Sequence, residues 1–216
     1  MPQLIKTANA ANDLRGKSAA RRNREDVMED KSALRRWAKA ARQGWEEEYR
    51  QSADAAIARR VLETETWQTA ETVFAYVSVG QEIDTRALIE AALMQGKRVY
   101  APRCVGKGVM EARLLRGLHE LTPAAFGLLE PTESAPAIAP EAIDVLLVPC
   151  LAAGRDGYRL GYGGGYYDRF LARARGVSIC LCRARALMPG VPRDAHDAPV
   201  DFVITETEIW ETKKGR

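Results

Sequence analysis

The residues best suited to chemistry lie between Gly157 and Arg169, in the run Gly157-Tyr-Arg-Leu-Gly-Tyr-Gly-Gly-Gly-Tyr-Tyr-Asp-Arg169. Four of the five positions from Gly161 to Gly165 are glycine. Such a backbone can turn through positive φ and let an oxyanion approach main-chain N–H groups. Tyr167, Phe170, Leu171 and Ala174 recur at helical spacing, so a helix is predicted over Tyr166–Arg175. A glycine turn opening a helix can hold phosphate at the helix N-terminus. Arg159 before the turn offers a cation, and Asp168 after it a carboxylate able to hold Mg²⁺. A glycine run alone equally fits a surface loop closed by a helix cap; the flanking charges favour phosphate. Lys31 and Arg35, four apart, share one helix face, which by spacing alone could be a solvated basic face.

Two familiar phosphate motifs do not apply. A Walker loop closes its glycines with Lys-Ser or Lys-Thr, where this chain has Tyr166 and Tyr167. A dinucleotide fingerprint follows its strand directly, whereas Leu151–Tyr158 separate the nearest apolar strand from the glycines. The pattern Arg159-Leu-Gly-x-Gly-x-Gly-Tyr-Tyr-Asp-Arg169 instead closely resembles the signature of the 5-formyltetrahydrofolate cyclo-ligase (5,10-methenyltetrahydrofolate synthetase) family. Further landmarks follow the family's order. Lys31-Ser-Ala-Leu-Arg35 resembles its N-terminal Lys-x-x-x-Arg, and Glu82-Ile-Asp-Thr85 its Glu-x-x-Thr. Phe126-Gly-Leu-Leu-Glu-Pro131 resembles its middle segment, and His196-Asp197 its C-terminal His-Asp.

The resemblance implies ATP- and Mg²⁺-dependent cyclisation of 5-formyltetrahydrofolate, with or without a polyglutamate tail, to the 5,10-methenyl form, with release of ADP and phosphate. It assigns nucleotide binding to Lys31, Arg35, Arg159, Leu160, Gly161, Tyr162, Gly163, Gly164, Gly165, Tyr166 and Tyr167. It gives catalysis to Arg159, Tyr167 and Asp168, and the metal to Asp168 and Asp197. The folate falls to Val77, Glu82, Phe126 and Tyr166. Read without the resemblance, Glu82 is a carboxylate near a helix start, and Phe126 a core anchor or a platform for a flat ring. His196 serves as easily in a loop as in catalysis. Tyr162 and Gly164 stand where some relatives carry Arg and Lys, which leaves backbone contacts alone there. The rival readings are a non-catalytic nucleotide- or folate-binding regulator, a ligase of the same scaffold with another substrate, and a nucleic-acid binder working through the basic N-terminal arm.

Composition sets the frame for these residues. A 216-residue chain with 46% hydrophobic and 28% charged residues is an ordinary soluble protein, large enough for one substantial core. No apolar run approaches the roughly 20 residues of a membrane span, and the polar start gives no secretory signal. The net charge of +3 belongs to the first residues. Residues 1–24 hold six bases against one acid, leaving the remainder at −2, so no nucleic-acid-binding domain is expected. Cys104, Cys150, Cys180 and Cys182 read as buried free thiols of a cytoplasmic protein.

The elements that must position the site read as α/β. Residues 1–29 form a basic disordered tail, 30–210 the domain and 211–216 a flexible end, with the protein a monomer. A helix capped by Asp30 or Ser32 buries Leu34, Trp37, Ala38 and Ala41, and a second helix spans Ala53–Glu65. Strands follow at Thr72–Val79, Lys97–Pro102, Met110–Arg116, Ile143–Pro149, Val177–Cys182 and Phe202–Thr205. A helix from Asp84 or Thr85 to Met94 completes a βαβ unit. The expected fold is a single three-layer α/β/α domain with a mostly parallel sheet, resembling the NagB/RpiA/CoA-transferase-like fold. Ligands of such sheets gather beyond the strand C-termini, which places Val77–Glu82 at the site.

Overall fold

A computed structural model describes residues 30–212. The tail 1–29 and residues 213–216 lie outside the described residues. Asp30 caps helix α1 (Lys31–Gln43), accepting from the N–H groups of Ser32 and Ala33 at 3.0 and 2.9 Å. Those donors have no partner inside the helix, so the cap fixes where it starts. The buried face of α1 is Leu34, Ala38 and Arg42. Trp37, expected on that face, is 40% exposed, because the contact stripe follows a strict spacing of four. Helix α2 (Glu47–Glu63) begins well before Ala53, and a separate short helix α3 (Glu65–Thr69) is capped by the Thr64 hydroxyl.

Strand β1 (Thr72–Ala75), helix α4 (Arg86–Met94) and strand β2 (Arg98–Gly106) form the expected βαβ unit, with Thr72 opposite Arg98 in a parallel pair. Strand β3 (Val109–Leu115) returns antiparallel. Short strands β4 (Thr122–Pro123), β5 (Leu129–Glu130) and β6 (Ala137–Ile138) lead to β7 (Val145–Val148). Beyond it lie β8 (Ala152–Gly154), β9 (Arg159–Leu160), α5 (Tyr166–Leu171), β10 (Val177–Leu181), β11 (Leu187–Met188), β12 (Phe202–Ile204) and β13 (Ile209–Glu211). The main sheet runs β13-β12-β10-β7-β1-β2-β3-β6. Its five inner strands, β12 to β2, are mutually parallel.

The side-chain alternation of these strands builds two cores. Val73, Ala75, Val145 and Leu147 join Ile57, Val61, Trp67, Leu88 and Ile89 of α2, α3 and α4 on one face. Phe74, Leu146 and Val148 join Leu34 and Ala38 of α1 and Phe170 and Leu171 of α5 on the other. A strand buried on both faces reads as a continuous apolar run, which is why β7 is Val-Leu-Leu-Val with every residue buried. Phe74 stacks on Phe170 with ring centroids 4.6 Å apart, tying α5 to the middle of the sheet. The α/β/α architecture is as expected, and among the described residues no helix is long and apolar enough to cross a membrane.

Further features differ from the sequence expectation. The interval Leu151–Tyr158 is not a plain connection: β8 and β9 form, with β11, a small sheet in the order β11-β8-β9. Helix α5 ends at Leu171 rather than Arg175. Glu211 and Thr212 belong to the sheet edge, where the Thr212 hydroxyl donates to the carbonyls of Val200 and Asp201. Cys150, Cys180 and Cys182 are buried free thiols as expected, whereas Cys104 is exposed, because β2 runs past the core at that point.

Candidate active site

The glycine turn is held from three sides. Strand β9 brings Arg159 in beneath it, with a side chain only 3% exposed. Arg159 donates to Asp168 Oδ1 at 3.0 Å from Nη2 and to the Ala198 carbonyl at 2.7 Å from Nη1. Asp168 Oδ1 also accepts from the Ala198 N–H at 3.3 Å, so the pair clasps the loop that carries Asp197. From α1, Arg35 Nε donates to the Gly161 carbonyl at 2.9 Å. From α5, Arg169 reaches back to the carbonyls of Gly164 and of Gly108 at the β2–β3 hairpin tip.

The turn itself explains the glycines. Gly163 has φ +102° and Gly165, which caps α5, has φ +67°, conformations costly for any residue with a Cβ. A Cβ on Gly164 would strike the Tyr166 ring at 2.7 Å, while one on Gly161 would meet nothing within 4 Å. The one side chain inside the turn is that of Tyr162, 47% exposed, with Lys39 Nζ 5.8 Å from its ring centroid. Leu160 packs its side chain into the core, so only its main chain faces the site.

Lys31, at the start of α1, forms ion pairs with Asp194 at 2.6 Å and with Asp197. Burial works against its charge, but the two carboxylates outweigh that and raise its pKa. Burial likewise opposes ionisation of Asp197, and Lys31 and the Asp194 N–H reverse the balance and lower its pKa. Ligand atoms of Asp194, His196 and Asp197 lie within 4.8 Å of one another. Carboxylate oxygens are what a hard divalent cation takes, so Asp194 and Asp197 are of the right type for Mg²⁺, while Asp168 adjoins their loop through the Ala198 N–H.

Of the residues expected at the folate side, Tyr166 packs against the glycine turn and Glu82 lies in the loop after β1. The segment after β1 turns at Val79–Glu82, with Glu82 Oε2 accepting from the Val79 N–H at 3.0 Å. Burial pushes the Glu82 carboxyl pKa up, against the lowering pull of that N–H and of the Tyr162 hydroxyl. Burial, with Glu82 next, likewise pushes the Tyr162 phenol pKa up, so the two groups lie within electrostatic reach of each other. Tyr167 is partly buried against both cores, its ring centroid 6.4 Å from that of Phe74, and burial, with Glu82 next, pushes its phenol pKa well up. Tyr166 is partly buried against the turn. The Val77 side chain belongs to the core. Phe126 lies in the 3-10 turn Ala125–Gly127, and its side chain is outside the described ones.

Two buried arginines that motif spacing does not single out support the site. Arg42, on the inward face of α1, is 3% exposed and donates to the carbonyls of Cys150 and Leu151 where β7 ends. Its place four residues after Ala38, on the Leu34–Ala38 face, is the signal that could have found it. Arg183, just beyond β10, is 2% exposed and pairs with Asp54 of α2. No local pattern announces that contact, since its partner is 129 residues away.

Residues 27–206 match the model of the 5-formyltetrahydrofolate cyclo-ligase family. The 5-formyltetrahydrofolate cyclo-ligase of Mycolicibacterium smegmatis is 38% identical over 147 residues, covering 63% of this chain and 74% of that one. The Escherichia coli enzyme of the same name is 31% identical over 148 residues, covering 66% and 81%. The NMR structure of Aquifex aeolicus 5,10-methenyltetrahydrofolate synthetase superposes with a TM-score of 0.76 at 30% identity, covering 86% of this chain and 94% of that one. A glycine turn clasped by Arg35, Arg159 and Asp168 beside a half-buried Glu82, in a chain matched over most of its length, leads to one assignment: the protein belongs to the 5-formyltetrahydrofolate cyclo-ligase family.

Proposed function

We propose that the protein uses ATP to close 5-formyltetrahydrofolate to 5,10-methenyltetrahydrofolate, releasing ADP and phosphate. The observation that carries this reading is the glycine turn, held by Arg35 on the Gly161 carbonyl beside the Arg159–Asp168 pair, in a chain that matches the family over residues 27–206.

The chemistry makes sense of the residues. A formamide carbonyl is a weak electrophile, because its nitrogen donates into it, and its oxygen leaves poorly. Transfer of the γ-phosphoryl to that oxygen gives an imidate phosphate. N10 of the same folate then attacks the formyl carbon and releases its proton to solvent, the C–O bond breaks, and phosphate leaves with the oxygen. Ring closure gains from proximity, by as much as roughly 7–11 kcal/mol in well-oriented intramolecular cases. The protein therefore positions reactants and neutralises charge. Lys31, Arg35 and Arg159 would face the triphosphate, and the N–H groups of Gly161–Gly165 would cradle it. Lys31 and Arg159 are paired with Asp197 and Asp168 as described, so binding would exchange those partners for phosphate oxygens. Asp168 and Asp197 would hold Mg²⁺, which when bound supplies positive charge to the phosphate oxygens. Glu82 would take two N–H groups of the pterin, a bidentate match for a carboxylate, with Tyr166 and Tyr167 lining the junction between nucleotide and folate. This reading places the protein in the cytoplasm as a monomer working on free folate.

Mixing the protein with 5-formyltetrahydrofolate and MgATP tests it. Growth of the methenyl-folate absorbance band, dependent on all three, is expected. ATP binding with no absorbance change would point to a nucleotide-binding regulator or to another substrate.

A further inference from the structure

We propose that Arg183 and Asp54 act as a positioning pair that sets the Glu82 carboxylate at the folate end of the site; the inference rests on Glu82 being the folate-binding carboxylate. Arg183 Nε and Nη2 donate to the two oxygens of Asp54 at 2.7 and 2.8 Å, a fork-on-fork pair. The donors left over go to main chain on either side of the Glu82 side chain. Nη1 donates to the Gln81 carbonyl at 3.0 Å and Nη2 to the Glu82 carbonyl at 3.2 Å. Asp54 Oδ2 accepts in addition from the Asp84 N–H at 3.0 Å. The pair thus grips three backbone groups spanning residues 81–84 without touching the Glu82 carboxylate, which accepts instead from the Val79 N–H.

The pair is itself fixed. The Ala184 N–H donates to Glu206 Oε2 at 2.7 Å, and Tyr49 of α2 donates to Glu206 Oε1 at 2.7 Å, so one carboxylate ties Arg183's segment to the helix that carries Asp54. Energetics point to geometry rather than stability as its value. Desolvating two charges offsets much of their attraction, and apolar replacements of buried pairs are often neutral. A planar fork with five donors is needed to serve Asp54 and two carbonyls at once, which an ammonium cannot do. The carbonyl ends of a loop beyond the parallel strands are where a small shift would be felt by a bound ligand.

Steady-state kinetics on R183K, D54N, E82Q and the double variant R183K/E82Q test this, with thermal melts in parallel. R183K is expected to raise the KM for 5-formyltetrahydrofolate roughly tenfold or more, with the KM for ATP within about twofold of the parent. Because Arg183 acts through Glu82, R183K/E82Q should bind folate no worse than E82Q alone. Should R183K fail to fold, D54N, which keeps an oxygen acceptor, carries the same comparison. A lowered Tm with unchanged folate KM, or multiplying effects of R183K and E82Q, would overturn the proposal. An E82Q protein with the parent's folate KM would overturn the role of Glu82 and the positioning pair with it.

Discussion

Arg159 is a full positive charge on a side chain 3% exposed, and Asp168 is its one acidic partner among the described residues. Stripping the partner from a buried charge costs about 3–5 kcal/mol, so Asp168→Ala would confuse folding with catalysis. Asp168→Asn keeps an oxygen for Arg159 and the Ala198 N–H and removes only the charge. It is expected to lower kcat by about a hundredfold or more, the scale of losing one electrostatic contact to a developing charge, while the folate KM stays within a few-fold. Methenyl-absorbance kinetics measure both, and an equal loss in the two parameters would speak against a metal-side role. Arg159 and Asp168 were legible in the sequence because both flank the glycines. That they bond to each other was not, because β9 is two residues long and its pairing partner β8 is Ala-Ala-Gly, too short and too small for a strand pattern.

At the scale of elements, the glycine turn and α1 act together. Gly161→Ala and Gly163→Ala separate cradle from strain. At Gly163 the φ of +102° costs an alanine on the order of 1–2 kcal/mol, and in a chain of this size each 1 kcal/mol lowers Tm by about 2–4 °C. At Gly161 a Cβ meets open space, so Tm should hold while ATP binding weakens, because the methyl stands where an oxyanion must approach. Calorimetric titration with MgATP and thermal melts check both, and unchanged ATP affinity in Gly161→Ala would argue against the turn as a phosphate cradle. Helix α1 is pinned to the 194–198 loop by Lys31, whose pKa is raised while that of Asp197 is lowered. The Asp197 contribution is present above about pH 3.8 and lost as pH falls through its lowered value. The Lys31 contribution is present below about pH 10.5 and lost as pH rises through its raised value. Lys31→Met should therefore melt below the parent from pH 5 to 9 and converge with it at both extremes, as melts across pH would record. The start of α1 was legible from Asp30, and its basic pair from spacing. Its buried Arg42 was not, because periodicity places a long charged side chain on the surface unless a carbonyl partner from another element is known.

The whole molecule places these parts by the rule that ligands gather at the carboxyl ends of parallel strands. The turn after β1 carries Glu82, the end of β7 is held by Arg42, and Arg183 follows β10, three neighbouring strands of one sheet. The five-strand parallel core was readable from runs such as Thr72–Ala75 and Val145–Val148, whose residues are all buried. The order of the strands and the antiparallel edge strand β13 were not, since residues 209–211 alternate Ile-Trp-Glu over only three positions. The central claim for this architecture is that it hands a phosphoryl group from the glycine turn to the formyl oxygen of a folate lying against Glu82. Turnover of 5-formyltetrahydrofolate carrying ¹⁸O in its formyl group, with mass analysis of the released phosphate, tests this most directly. The account predicts one ¹⁸O in each phosphate formed; unlabelled phosphate, with the label recovered in water, would contradict it.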